Sequence, residues 1–173
     1  FSKGVPVICG TTGWLDQMEV VKTACLKQES AFIYASNFSL GVNLFFKLNE
    51  QMAALMKPHK YHAAIEEIHH IHKLDAPSGT AITLAEGIIA QGALKDWSLV
   101  ENSGDSVTNK FPITSKREGE VPGTHIVSYA SDIDRLEIKH IAHNRAGFAL
   151  GAVVAAEWIQ NKKGIFNMSD VLA

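Results

Sequence analysis

The chain opens on short apolar runs separated by longer stretches with helical spacing. Val5 to Cys9 is an apolar run closed by Gly10-Thr11-Thr12-Gly13 and predicts a strand. Trp14 to Gln28 carries Leu15, Met18, Val21, Ala24 and Cys25 at helical spacing, and Ala31 to Ala35 is a second short strand-like run. Strand, helix, strand reads as one parallel crossover unit, which needs helices on both faces. After the break at Ser36-Asn37-Phe38-Ser39, Leu40 to Met56 predicts a helix with Leu44, Phe45, Leu48, Met52, Leu55 and Met56 on one face. Pro58 closes it.

Tyr61 to His69 predicts a strand, and Gly79 to Leu94 an amphipathic helix through Ala81, Leu84, Ala85 and Ile88. Ser98 to Lys110 is polar and reads as a surface loop. Phe111 to Arg117, His125 to Ala130 and Arg135 to Ala142 read as strands whose short connections imply antiparallel pairing. Ala146 to Gln160 is apolar nearly all round and predicts a buried helix, closed by Asn161-Lys162-Lys163-Gly164. The fold class expected is therefore α/β and α+β: a remnant of a parallel sheet, then helices on a mostly antiparallel sheet. Three segments follow, 1–38, 39–145 and 146–173.

Composition narrows the class. At 173 residues and a net charge of -2, the chain can bury a core and shows no basic surplus for nucleic acid. The longest apolar run, Phe148 to Ala156, is far short of the roughly 20 residues a membrane span needs. Two cysteines, Cys9 and Cys25, fit a reducing, cytoplasmic setting better than a disulfide scaffold. Phe1-Ser2-Lys3-Gly4 leads at once into a strand, so the sequence reads as starting partway into a domain.

Chemistry concentrates between Glu66 and Gly79, which reads Glu-Glu-Ile-His-His-Ile-His-Lys-Leu-Asp-Ala-Pro-Ser-Gly. His69, His70, His72 and Lys73 can exchange protons or hold carboxylates. Ser78, Gly79 and Thr80 open a helix whose free N–H groups suit an anion. The segment from His69 to Thr80 is expected to be a solvent-accessible loop that holds and protonates an acidic small molecule. The plain alternative is a helix-entry loop with Ser78 or Asp75 as cap and solvated histidines. A metal site drawing on His69, His70 and His72 with Glu66 or Glu67 lacks helical zinc spacing, and Lys73 opposes a cation. Gly10 to Gly13, between a strand and a helix, can bring backbone N–H to a nucleotide, although small-residue turns of this kind are common. Arg117 and Arg145, at strand ends, could each pair with a carboxylate. His125, His140 and His143 are read as structural, and Gly147 and Gly151 as sites of close helix packing.

Glu67 to Ala81 closely resembles the signature of bacterial dihydrodipicolinate reductases. Gly10 to Gly13, Ala35 to Asn43, and the tail from Pro122-Gly123-Thr124-His125 through Arg145 to Ala156 resemble the same family, in order. The resemblance implies NADH- or NADPH-dependent reduction of a cyclic unsaturated dicarboxylate in the diaminopimelate route to lysine. It implies His69 as acid/base and Lys73 as proton donor. His70, Lys73, Gly79 and Thr80 would hold the carboxylates. Gly10, Thr11, Thr12, Ala35, Ser36, Asn37 and Phe38 would line the nicotinamide end of a Rossmann-type domain. It further implies a homotetramer built through the sheet of Phe111 to Ala142, and a terminal helix from Ala146 that returns to the nucleotide-binding domain.

The departure from the family is the lack of a GxGxxG-like turn and of the later residue that selects NAD or NADP. The 173-residue fragment is thus expected to keep the substrate-site geometry, bind dinucleotide poorly and turn over little, which calorimetry with NADH would check. Two other classes stand beside this one: a non-catalytic dicarboxylate-binding and oligomerisation module, separated by cofactor affinity, and a histidine-cluster metal hydrolase, separated by metal analysis.

Overall fold

The computed structural model describes residues 1–11, 13–92, 95–102 and 110–173. In chain order the elements are β1 (Val7–Cys9), a 3-10 turn (Leu15–Gln17), α1 (Met18–Lys27), β2 (Ala31–Tyr34), α2 (Leu40–Met56), β3 (His62–His69) and α3 (Gly79–Ala90). They continue with β4 (Trp97–Val100), β5 (Phe111–Arg117), β6 (Thr124–Ala130), β7 (Arg135–Ile141), α4 (Ala146–Trp158), β8 (Gly164–Phe166) and α5 (Met168–Val171). Two compact units result: Phe1–Asn43 with Ala146–Ala173, and Leu44–Arg145.

The first unit is built on a parallel sheet of order β1-β2-β8. Its core joins Ala31, Ile33 and Phe38 to Ala155, Ile159 and Met168. β8 and α5 lie beyond the predicted elements. Gly164-Ile165-Phe166 is too short to show a period, and only its pairing with β2 makes it a strand. The helix predicted from Trp14 begins regular α geometry at Met18, after the 3-10 turn. α4 corrects the expectation of a helix buried all round. Within its unit it buries Gly151 and Ala155, while Phe148, Leu150 and Val153 are exposed. Composition told that every face is apolar, but burial needs a neighbour on each face, and α4 packs on β1 and α5.

The second unit is a five-stranded sheet of order β4-β5-β3-β6-β7. Helices pack a core of Phe45, Ala53, Leu84, Ala85 and Ile88 against Ile65, Phe111, Ile113 and Val127 of the sheet. Of the predicted face of α2, Phe45 is in this core and Met52 and Met56 pack against it, whereas Leu44, Leu48 and Leu55 are exposed and Asn49 and Ala53 are buried instead. Asn49 Nδ2 donates to Leu84 O at 2.9 Å, so a polar side chain occupies a core position that hydrophobicity alone assigns to leucine.

The sheet departs from the predicted pairing. β3 inserts between β5 and β6, so β5 pairs with β3 and β4 in parallel, and antiparallel ladders join β3-β6 and β6-β7. The antiparallel ladders are the longer, with seven residue pairs each against five and four. A short link between β5 and β6 therefore leads around a third strand, which the rule of short connections does not foresee. Trp97–Val100 also replaces the start of the predicted surface loop by an edge strand; residues 103–109 of that loop lie outside the described residues. α3 ends at Ala90 rather than Leu94, the latter likewise outside the described residues.

Candidate active site

β3 sets the site by simple alternation. Ile65, Glu67 and His69 fall on one face of the strand, and all three are buried, Glu67 fully and His69 to 8% exposure. His69 thus ends a strand and is enclosed, correcting the expected solvent-accessible loop. The backbone here is tied to the segment after β5 by Glu118 N donating to His69 O at 2.8 Å, and Ile71 N to Gly119 O at 3.1 Å.

Glu67 is the centre of a polar cluster. Its Oε1 accepts from Ser78 N at 3.1 Å and from Arg117 Nη2 at 3.2 Å. Its Oε2 lies 2.8 Å from His69 Nδ1, a short ion-pair contact angled away from a linear hydrogen bond. Burial pushes the Glu67 carboxyl up, but the polar groups of His69, Ser78 and Ser115 outweigh it and hold it well below the usual carboxylate range. His125 stands beside this pair, its ring 5.1 Å from that of His69 and its Nε2 3.1 Å from Ser78 Oγ. Burial, then the neighbouring His69, lower His125 to about 3, so it is neutral at physiological pH.

The segment after His69 carries the other candidates. Lys73 Nζ donates to both oxygens of Asp75 at 2.7 Å, and Arg117 donates to Asp75 O at 2.6 Å and to Lys73 O at 3.3 Å. Asp75 is therefore the lysine's partner, not the helix cap. Ser78 is the cap of α3, its Oγ accepting from Ala81 N at 3.2 Å, and Gly79 and Thr80 form the first turn. His70 Nε2 lies 3.4 Å from Arg145 Nη2. His72 turns outward to Glu120 at 3.1 Å.

The cofactor candidates fall in the first unit. Gly10-Thr11 follows β1 and Ala35 to Phe38 follows β2, at the carboxyl ends of two strands that pair in parallel. Thr12 lies outside the described residues. Ala35 N donates to Cys9 O at 3.2 Å, and Asn37 Oδ1 accepts from Ser39 N at 2.9 Å. A Cβ on Gly10 would meet the Phe38 ring at 3.1 Å, so glycine lets that ring close over the end of β1. Crevices at the carboxyl ends of parallel strands are where such sheets take nucleotides, so these residues fit a nicotinamide.

Two further features bear on ligands. Glu67, His69 and His125 place possible metal-ligand atoms within 4.8 Å of one another, a different set from the one considered along the sequence. Arg117 already balances this carboxylate, and a dication would have to compete with it. A concavity of about 220 Å³ lies on the sheet at Ala64, Glu66, Ile126, Ser128, Arg135 and Glu137, where β3, β6 and β7 meet. His69 and Lys73 do not line it, so the acid–base chemistry is the firmer guide to the site. Along the sequence Glu67 is weighed only as a metal ligand and His125 only as structural. The available signal for Glu67 was its position two residues from both Ile65 and His69 along a strand.

The chain carries a parallel α/β unit with ligand-ready strand ends and a second unit with a buried imidazole–carboxylate–guanidinium cluster, the features of a nicotinamide-dependent reductase. The sequence profile "Dihydrodipicolinate reductase, C-terminus" matches residues 41–172. The 4-hydroxy-tetrahydrodipicolinate reductase of Christiangramia forsetii is 56% identical over 175 residues, covering 100% of this chain and 72% of that protein. The enzyme of the same name from Methanococcoides burtonii is 40% identical, covering 98% of this chain and 64% of its own length. The dipicolinate-bound dihydrodipicolinate reductase of Paenisporosarcina sp. TG-14 shares the fold, with a TM-score of 0.72, 23% identity, and coverage of 92% and 62%. The chain belongs to the dihydrodipicolinate reductase family, whose members are NAD(P)H-dependent oxidoreductases.

Proposed function

We propose that the full-length protein carrying this chain reduces 4-hydroxy-tetrahydrodipicolinate to tetrahydrodipicolinate with NADH or NADPH, in the diaminopimelate route to lysine. The carrying observation is that one buried carboxylate, Glu67, touches His69, the cap of α3 and the arginine bonded to the backbone of the Lys73 segment. Acid–base groups and an anion-ready helix start are thereby gathered at one end of β3.

His69 serves as acid/base and Lys73 as proton donor. Loss of the 4-hydroxyl as water leaves a conjugated ring, to which a bound nicotinamide would supply hydride. As negative charge develops on the conjugated ring nitrogen, the Lys73 ammonium stabilises it and gives up a proton. The Gly79-Thr80 turn, His70 and Lys73 hold the two carboxylates, and a substrate carboxylate replaces Asp75 as partner of Lys73. Gly10 to Thr12 and Ala35 to Phe38 line the nicotinamide, supported by the place of Gly10, Thr11 and Ala35 to Phe38 after paired parallel strands.

The protein acts as a homo-oligomer, a tetramer, assembled through the sheet of the second unit. The exposed apolar side chains of Leu136 and Ile141 on β7, the last strand of that sheet, support that reading, and light scattering on the full-length protein checks it. Two free thiols, Cys9 and Cys25, suit a cytoplasmic setting. The function is tested by following nicotinamide oxidation with freshly generated 4-hydroxy-tetrahydrodipicolinate. Folded full-length protein that oxidises neither cofactor would refute it.

A further inference from the structure

We propose that Glu67 is the positioning residue of the site, fixing His69 as the Nδ1–H tautomer and linking the Lys73 segment to it through Arg117. The kinetic part of this rests on the reductase reading above; the tautomer part does not.

Glu67 Oε1 has two donors, Ser78 N at 3.1 Å and Arg117 Nη2 at 3.2 Å. Oε2 lies 2.8 Å from His69 Nδ1 and 3.9 Å from His125 Nε2. A carboxylate oxygen that close to a bare ring nitrogen would set lone pair against lone pair. A proton on Nδ1 relieves that repulsion even where the contact is bent, which puts the proton on Nδ1 and leaves Nε2 for proton exchange. Nε2 faces Gly123, where an added Cβ would lie 3.1 Å away, so a glycine there keeps the exchanging nitrogen clear.

The Arg117 guanidinium that meets Glu67 also donates to the carbonyls of Lys73 and Asp75. It therefore holds the backbone on either side of Leu74, and with it the lysine and its carboxylate partner. Fixed fork geometry suits arginine to this and excludes lysine.

Glu67→Gln gives a sharp test. Oε1 must stay an acceptor for two donors, so the amide oxygen takes its place. The amide nitrogen then takes the place of Oε2 and donates toward His69 Nδ1. His69 must respond by moving its proton to Nε2. We expect nitrogen-15 NMR of the full-length protein to show neutral His69 as Nδ1–H in the wild type and as Nε2–H in Glu67→Gln. We expect kcat to fall roughly a hundredfold or more, as for loss of a correctly protonated acid/base group, with a smaller change in KM. Arg117→Lys should leave the tautomer unchanged and raise KM for the dicarboxylate. Wild-type His69 found as Nε2–H would overturn the proposal even if the variant failed to fold, and so would an unchanged tautomer in folded Glu67→Gln. An inactive wild type with the expected tautomer would instead refute the reductase reading and leave the positioning role intact.

Discussion

Gly151 offers a test of packing with a large expected effect. It lies on the buried face of α4, and a Cβ built there would fall within the Phe38 carbonyl oxygen and 2.7 Å from its carbon. Ordinary contact begins at 3.4 Å, so at the carbon alone the two backbones must part by 0.7 Å. Backbone cannot swing aside as a flexible side chain can. Overpacking of this kind costs about 3 kcal/mol at the upper end of the usual range. Alanine returns up to about 1 kcal/mol through its better helix propensity. Gly151→Ala is therefore expected to lose about 2 kcal/mol. With a urea slope of about 2 kcal/mol/M, the unfolding midpoint falls by about 1 M. Gly147 is the internal control, because a Cβ there meets only Ser39 Oγ at 3.5 Å, an ordinary contact. Gly147→Ala should be neutral or slightly stabilising. Urea titrations followed by circular dichroism compare the two. A Gly151→Ala midpoint equal to or above the wild type would refute the packing argument. Because Phe38 belongs to the candidate nicotinamide segment, the same variant should also weaken cofactor binding by the full-length protein.

Further predictions address the site. His125, lowered by burial to about 3, binds a proton in the unfolded chain below about 6.5 and not in the folded one, so its contribution to stability is lost as pH falls from about 6.5 toward 3. Between pH 7 and 5 this costs about 2 kcal/mol, and His125→Asn should flatten that part of the stability–pH curve measured by urea unfolding. Glu67, held low, adds to acid lability in the same direction at lower pH, since the stability of its ionised form is lost as pH falls from the normal carboxylate range. His69→Gln in the full-length protein should lower kcat by roughly a hundredfold or more, and because His69 is buried it should also lower the melting temperature; unchanged turnover would rule out the acid/base role. Lys73→Ala should raise KM and lower kcat together in steady-state kinetics, since its ammonium both binds and donates.

What could be read along the chain was periodic or local. The β1–α1–β2 crossover, the inner residues Ala81, Leu84, Ala85 and Ile88 of α3, and the segment from His69 to Thr80 all follow from spacing and turn chemistry. The resemblance to the family rests on contiguous residues and so was legible too. Pairing across the sheet was not. Nothing in Phe111 to Arg117 says that β3 lies between it and β6, because strand order depends on which neighbours share the core. Gly151 was readable as a packing glycine, but its partner Phe38 stands 113 positions away in the sequence and is found only in the fold.

The sequence by itself determined which residue types carry the chemistry: three histidines and a lysine followed by a serine-capped helix start. Only the tertiary structure decided what each can do. It turned His69 inward beside Glu67, brought in His125 and Arg117 from β6 and β5, gave Lys73 to Asp75, and sent His72 outward to Glu120. The physical reason is that proton position and charge depend on burial and on atoms within about 3 Å, and most of those atoms come from distant parts of the chain.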